Sequence, residues 1–181
     1  MRSFYLTALV LGLLTAVGPL AINMYLPALP VIEDVFDTDT ATVQLSLLSF
    51  FVSMSLAQLI YGPLSDMFGR RLPLFIGLTL YLLGAVGSAL APDIQWLIAA
   101  RALQGLAAQL MATLMLVVSI APVLAPLAGS AALAAGGWRT IFWSMAAAAI
   151  AALVLLTTAL KETRPPEQRG DSSLARSLRD Y

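Results

Sequence analysis

Long apolar runs separated by short polar stretches dominate the chain. A bilayer core about 30 Å thick is crossed by about 20 apolar residues in a helix, and most of the runs have that length. The predicted spans are residues 4–29, 41–61, 72–90 and 140–160, with one or two more between residues 94 and 129. The pattern therefore predicts an all-α fold, a polytopic membrane helical bundle of about six spans.

The run at residues 94–129 is short for two spans. Two spans and a turn need more than about 40 residues, whereas this run has about 36 and contains one charge, Arg101. We therefore expect the fourth and fifth spans to be shortened or fused. Six spans result if an uncharged hairpin forms near residues 113–119, and five result if it does not.

Positive charge predicts the orientation of the bundle. Arginine and lysine collect on the cytoplasmic side of membrane proteins, so Arg2, Arg70, Arg71 and the basic residues of the tail should all lie there. Only an even number of spans satisfies this condition, which favours six. We expect a transmembrane helical bundle at residues 1–160, a cytoplasmic tail at residues 161–181, and both termini in the cytoplasm.

Composition supports the membrane assignment and excludes several kinds of chemistry. The 181 residues are 60% hydrophobic and 11% charged, with a mean hydropathy of +0.88, far from the balance of a soluble domain. The chain has no cysteine and no histidine, which excludes disulfides, thiolate metal sites and imidazole acid–base chemistry. We expect no metal, no cofactor and no nucleic-acid partner, and an enzyme is the weakest interpretation.

Four segments, in order along the chain, carry a family resemblance. They are Ile22-Asn23-Met24-Tyr25-Leu26-Pro27-Ala28-Leu29-Pro30, Gly62-x-Leu64-x-Asp66-x-x-Gly69-Arg70-Arg71, Arg101-x-x-Gln104-Gly105 and Ala121-Pro122-x-x-Ala125-Pro126-x-x-Gly129. They resemble the first-helix, loop, fourth-helix and antiporter motifs of the major facilitator superfamily, in the Bcr/CflA drug-resistance type. Only the amino-terminal half of such a transporter is matched.

The resemblance implies a function. It predicts a drug/proton antiporter of the inner (plasma) membrane that exports small lipophilic compounds, with the lipid bilayer, a small-molecule substrate and protons as its partners. Such transporters place the substrate path between two six-helix halves, so this chain would need a second half or a second copy. The alternative is a membrane remnant or assembly partner that transports nothing.

Arg101 is the one ionisable residue well inside a predicted span, about 10 Å deep at 1.5 Å per residue. Such an arginine is costly unless it faces the bundle interior and finds partners. The alternative is an arginine that snorkels or is satisfied by the backbone. The resemblance implies a proton-coupling or substrate-path role for Arg101, Gln104, Asn23 and Tyr25. It also implies an aspartate where Asn23 stands, and an amide cannot carry a proton in this way.

The loop motif is predicted to gate the transporter through Gly62, Asp66, Gly69, Arg70 and Arg71. A carboxylate at a helix end can pair with an arginine and hold two spans together in one state. Positive-inside topology alone explains the two arginines equally well. Met67 stands where the resemblance implies a further basic residue.

The antiporter motif is predicted to form a bent helix that a neighbour approaches closely. Its residues are Pro122, Pro126 and Gly129. Proline bends a helix and small residues permit close packing, which suits a seam that controls leakage between two transporter halves. A simple kinked packing face is the alternative.

Overall fold

A computed structural model describes residues 21–68, 71–112 and 121–159, with side chains at 21–58, 72–108 and 124–158. After a short 3-10 helix, Leu26–Ala28, the helices are α1 Leu29–Val35, α2 Thr40–Phe68, α3 Arg71–Ala89, α4 Ile94–Ala112, α5 Ala121–Gly136 and α6 Trp138–Ala159. No strand occurs among these residues. The predicted all-α bundle is confirmed.

Three of the described helices are long and apolar enough to cross a membrane: Thr40–Gln58, Leu72–Ala89 and Trp138–Thr158. They cover the predicted second, third and sixth spans. Helices α4 and α5 fall in the run that was predicted to hold the fourth and fifth spans. The described part of α5 has 16 residues, about 24 Å of rise. The predicted hairpin near residues 113–119 lies wholly outside the described residues, so the predicted fusion of the two spans stays a prediction.

Two helix boundaries differ from the predicted ones. The predicted first span was to end at residue 29, but Pro27 and Pro30 each occupy the first turn of a new helix, where proline is well tolerated, and α1 continues to Val35. Helix α2 continues to Phe68 instead of ending at residue 61. Gly62 and Asp66 of the predicted loop motif are therefore helical positions, and Gly69 and Arg70 lie outside the described residues.

Helix α4 packs along both α2 and α3, α6 packs on α3, and α5 packs on α6 and on the 3-10 helix. Two glycines permit the closest approaches. A Cβ atom at Gly105 would overlap the backbone carbonyl of Phe50, and one at Gly129 would overlap the backbone of Met24. Small residues at such crossings let helix backbones meet in membrane proteins, and both glycines belong to motifs that the sequence singled out.

One end of the bundle is fixed by polar caps. The Asp39 carboxylate accepts the backbone N–H of Thr42 at 3.0 Å before α2, and Asp93 accepts that of Trp96 at 2.7 Å before α4. Hydrogen bonds from the Thr42 side chain and backbone hold the pKa of Asp39 below its ordinary value, so the charged cap persists to lower pH than an unpaired aspartate.

The same end carries Arg139, whose Nε and Nη2 donate to the carbonyls of Ala89 and Ala91 at 3.1 and 2.9 Å. These carbonyls end α3, where a cation is favourable. Gly137 connects α5 to α6 at φ +75°, a left-handed conformation that glycine adopts without strain. The predicted interfacial turn at residues 136–139 therefore fastens α6 to the end of α3.

Candidate functional site

Arg101 lies on α4 with its side chain fully buried between helices. Its Nη1 donates to the backbone carbonyl of Ala21 at 3.1 Å and to Oε1 of Gln104 at 2.8 Å. Helical spacing of three residues places Gln104 on the same face of α4, as predicted. The arginine faces the bundle interior, and its hydrogen bond to the Ala21 carbonyl is a backbone contact of the kind that the alternative interpretation includes.

Two aromatic rings contact the guanidinium. The Cζ atom of Arg101 lies 4.5 Å from the ring centroid of Tyr25 and 4.5 Å from that of Phe50. A cation over the face of a ring is attracted by about 2 kcal/mol when water is excluded. The first span and α2 therefore each contribute one ring to a cation site that α4 supplies.

The Tyr25 ring is held in place from two sides. Its hydroxyl lies 2.7 Å from Oγ of Ser46, and Ser46 donates its own proton to the carbonyl of Val43 at 2.6 Å. Because the serine proton is used in this way, Tyr25 is the donor of the first bond. Phe142 of α6 packs against the ring with centroids 5.5 Å apart. These contacts fix the ring over the guanidinium.

Gln104 connects the site to other helices. Its Nε2 lies 3.7 Å from the sulfur of Met145 on α6, and its backbone and side chain lie against Gly84 of α3. Asn23 is half-buried two residues before Tyr25. The structure thus brings Arg101, Gln104 and Tyr25 together, with Asn23 nearby in the chain.

The guanidinium has no carboxylate partner within the spans. Its Nε and Nη2 atoms have no hydrogen-bond partner among the described residues. Of the ten carboxylate side chains in the sequence, only Asp66 falls within a described membrane helix. The other nine are Glu33, Asp34, Asp37, Asp39, Asp93, Glu162, Glu167, Asp171 and Asp180. Asp66 is 16 residues from Phe50 along α2, about 24 Å of helix rise.

The same separation keeps the gating motif away from the Arg101 site. Gly62 and Asp66 lie in the final turns of α2 and Arg71 begins α3, whereas Gly69 and Arg70 lie outside the described residues.

The antiporter motif lies nearer to the Arg101 site than the gating motif does. Pro126 lies inside α5 and Gly129 meets the backbone of Met24, next to Tyr25, whereas the side chain of Pro122 is not among those described.

Sequence reasoning missed three contributors to the site: Ser46, Phe142 and the Ala21 carbonyl. Phe50 is fully buried against Arg101, while the adjacent Phe51 is 44% exposed. Nothing in the local sequence separates the two rings. A usable signal was Gly105, because a glycine four residues after a buried arginine marks the crossing at which Phe50 approaches α4.

Comparisons with known proteins agree with the predicted resemblance. A family model described as Major Facilitator Superfamily matches residues 11–118. The chain is 36% identical to the "Uncharacterized MFS-type transporter YdgK" of Bacillus subtilis, over 95% of this chain and 48% of that protein. It is 31% identical to the "Chloramphenicol resistance protein" of Pseudomonas aeruginosa, over 87% and 43%, and 30% identical to "Multidrug resistance protein MdtL" of Escherichia coli, over 81% and 43%. The chain spans about half the length of these curated relatives, or less.

The alignments also reveal an internal difference in length. The match to the Bacillus protein extends over 195 positions, yet 95% of a 181-residue chain is about 172 residues. The match to the Escherichia protein extends over 168 positions, yet 81% of this chain is only about 147 residues. Slightly more than 20 positions of each relative therefore have no counterpart in this chain.

Proposed function

The chain belongs to the Major Facilitator Superfamily, and we propose that it forms one half of a membrane exporter of small lipophilic compounds, of the drug/proton antiporter type. Members of this family are transporters, which establishes a membrane and a transported substrate as the context. The printed names of two relatives, for chloramphenicol resistance and multidrug resistance, support drug-like compounds as the substrate class.

The buried Arg101 carries this proposal. A fully buried guanidinium inside an apolar bundle is expensive to maintain, and here it is held by the first span, α2 and α4 together. A residue that contacts three spans near their crossing can sense their relative movement. In the proposed function Arg101 and Gln104 line the substrate path, and Asn23 and Tyr25 complete it from the first span.

The other two motifs are assigned to movement between halves. We assign gating to Gly62, Asp66, Gly69, Arg70 and Arg71, at the junction of α2 and α3. We assign the seam between halves to Pro122, Pro126 and Gly129 on α5, supported by the close approach of Gly129 to the first span. The path itself requires a second half or a second copy of the chain.

The proposed setting is the inner (plasma) membrane, with residues 1–160 as the bundle and residues 161–181 as a cytoplasmic tail. Both termini would lie in the cytoplasm, on the side of Arg70 and Arg71, following the distribution of positive charge. The polar caps of α2, α4 and α6 would then lie at the outer surface.

Transport by the purified chain tests the proposal. Proteoliposomes with an imposed pH gradient should move radiolabelled chloramphenicol, and Arg101→Ala should abolish the movement. Gln95→Ala is the matched control, because Gln95 is exposed on the same helix and should transport normally. Chemical cross-linking in the same vesicles counts the protomers. Absence of transport by a folded wild-type chain, alone and with a co-reconstituted second half, would refute the proposal.

A second candidate is a membrane-embedded assembly partner without transport activity. It is favoured by the positions of the relatives that have no counterpart in this chain. It is also favoured by Asn23, which stands where the resemblance implies a proton-carrying aspartate. This candidate predicts a stable folded chain that moves no substrate under any gradient. It also predicts that the chain is recovered with other membrane proteins and not as a closed transporter.

A further inference from the structure

The charge of Arg101 at the centre of the bundle has no compensating carboxylate among the residues that the structure describes. Arg101 is fully buried, and the groups found against its guanidinium in the described part of the chain are neutral: a backbone carbonyl, an amide oxygen and two aromatic rings. The nearest carboxylate on a described membrane helix, Asp66, is far along α2. Buried cations ordinarily pair with an anion, because neutral contacts recover only part of the lost hydration.

The contacts also show which edge of the guanidinium has no hydrogen-bond partner among the described residues. Nη1 makes both hydrogen bonds and the two rings occupy contact positions around Cζ. Nε and Nη2, which form one edge of the planar group, have no partner among the described residues. This edge presents two parallel N–H donors, the arrangement that a carboxylate accepts with both oxygens.

We propose that this edge of Arg101 binds the carboxylate of a small organic monoanion with an apolar body. The carboxylate would supply the missing charge, and the surrounding Tyr25, Phe50 and Phe142 rings favour an apolar remainder. A cationic ligand would meet an uncompensated positive charge in a medium of low dielectric constant, which is strongly repulsive. As an assignment of substrate class this rests on the proposed function, but the binding itself does not.

Binding of sodium benzoate to the purified full chain in detergent tests the proposal. Benzoate should raise the melting temperature saturably, whereas benzamide, its neutral analogue of the same shape, should not. Sodium chloride at the same concentration controls for ionic strength. Because Arg101 is fully buried, benzoate reaches it only when the helices separate, so the titration is equilibrated before each measurement.

Two variants locate the binding. Arg101→Gln should lose benzoate binding. Gln104→Glu should weaken it about tenfold or more, since it places a carboxylate where an oxygen already lies 2.8 Å from Nη1 and so competes for the same charge. Gln95→Glu is the matched control, an identical substitution at an exposed position of α4, and should bind benzoate like the wild type.

The outcomes are distinct. Equal shifts with benzoate and benzamide, or with benzoate and chloride, overturn the proposal, and so does a benzoate shift that survives both site variants. Binding confined to the monomer and lost on assembly would assign the counter-ion to a partner chain and overturn it as well. If Arg101→Gln does not fold, the ligand comparison and Gln104→Glu still decide. Transport without benzoate binding refutes this inference alone, and benzoate binding without transport refutes only the proposed function.

Discussion

Arg101 is stabilised by rings and neutral oxygens where a buried cation would ordinarily have a carboxylate. Each ring attracts the guanidinium through its face. The strength of that attraction depends on the position of the ring, which neighbouring side chains determine. For Tyr25 those side chains are Ser46 and Phe142. The hydroxyl and the ring of Tyr25 thus have different roles, and substitution can separate them.

We expect Tyr25→Phe to lower the free energy of unfolding by about 1 kcal/mol, the value of one hydrogen bond, because Ser46 keeps its bond to Val43. Tyr25→Leu should cost about 2 kcal/mol more, since the cation then loses a ring. Thermal unfolding of both variants in the same detergent measures the difference. If they are equally stable, the ring does not hold the guanidinium.

At the scale of helices, the bundle depends on where backbones meet. Gly105 and Gly129 mark crossings at which even a methyl group would overlap a neighbouring backbone. A backbone atom cannot move aside as a flexible side chain can, so the two helices themselves would have to shift. Gly87 on α3 lacks this constraint, because a Cβ there would lie at ordinary contact distance from its neighbours.

Gly105→Ala should destabilise the bundle by about 1–3 kcal/mol, as overpacking does, and should displace Phe50 from Arg101. Gly87→Ala is the control, because its Cβ would lie at an ordinary 3.5 Å from that of Ala100 and alanine favours helix. Urea or thermal unfolding compares the two. Similar losses for both would show that helix content, and not the crossing with Phe50, decides stability.

At the scale of the whole molecule, the pattern of apolar runs was sufficient to predict an all-α bundle. Run length and charge are set by the bilayer and act on any sequence. Helix ends were harder to predict, because they depend on local competition. Pro27 and Pro30 begin new helices at the end of the predicted first span, and α2 continues past Gly62.

The candidate site was predicted in part. Arg101 stood out because a charge inside an apolar run has few explanations, and Gln104 followed from helical spacing. The contributions of Phe50, Ser46 and Phe142 could not be predicted, since they come from other helices. Whether Phe50 or its neighbour Phe51 faces Arg101 depends on how α2 is rotated about its axis in the bundle. A helix that is apolar on all sides does not specify that rotation in its sequence.

The positions of the relatives that have no counterpart in this chain lead to a prediction about the whole chain. If they belong between α4 and α5, replacing residues 113–120 with the longer corresponding segment of the Bacillus relative should raise helical content and melting temperature. A Gly/Ser segment of equal length inserted there is the control and should give neither gain. Circular dichroism and thermal unfolding provide the measurements. Equal results for the two insertions would place the missing positions elsewhere.

Trp138 gives the molecule an optical reporter of its own. It is 3% exposed, whereas Trp96 and Trp143 are 55% and 47% exposed, so it is the least accessible of the three tryptophans to quenchers dissolved in water or in lipid. Its ring meets Phe142, which in turn meets Tyr25. A rearrangement around the central guanidinium therefore reaches a natural fluorophore two rings away, and a spectroscopist can follow it without attaching a dye.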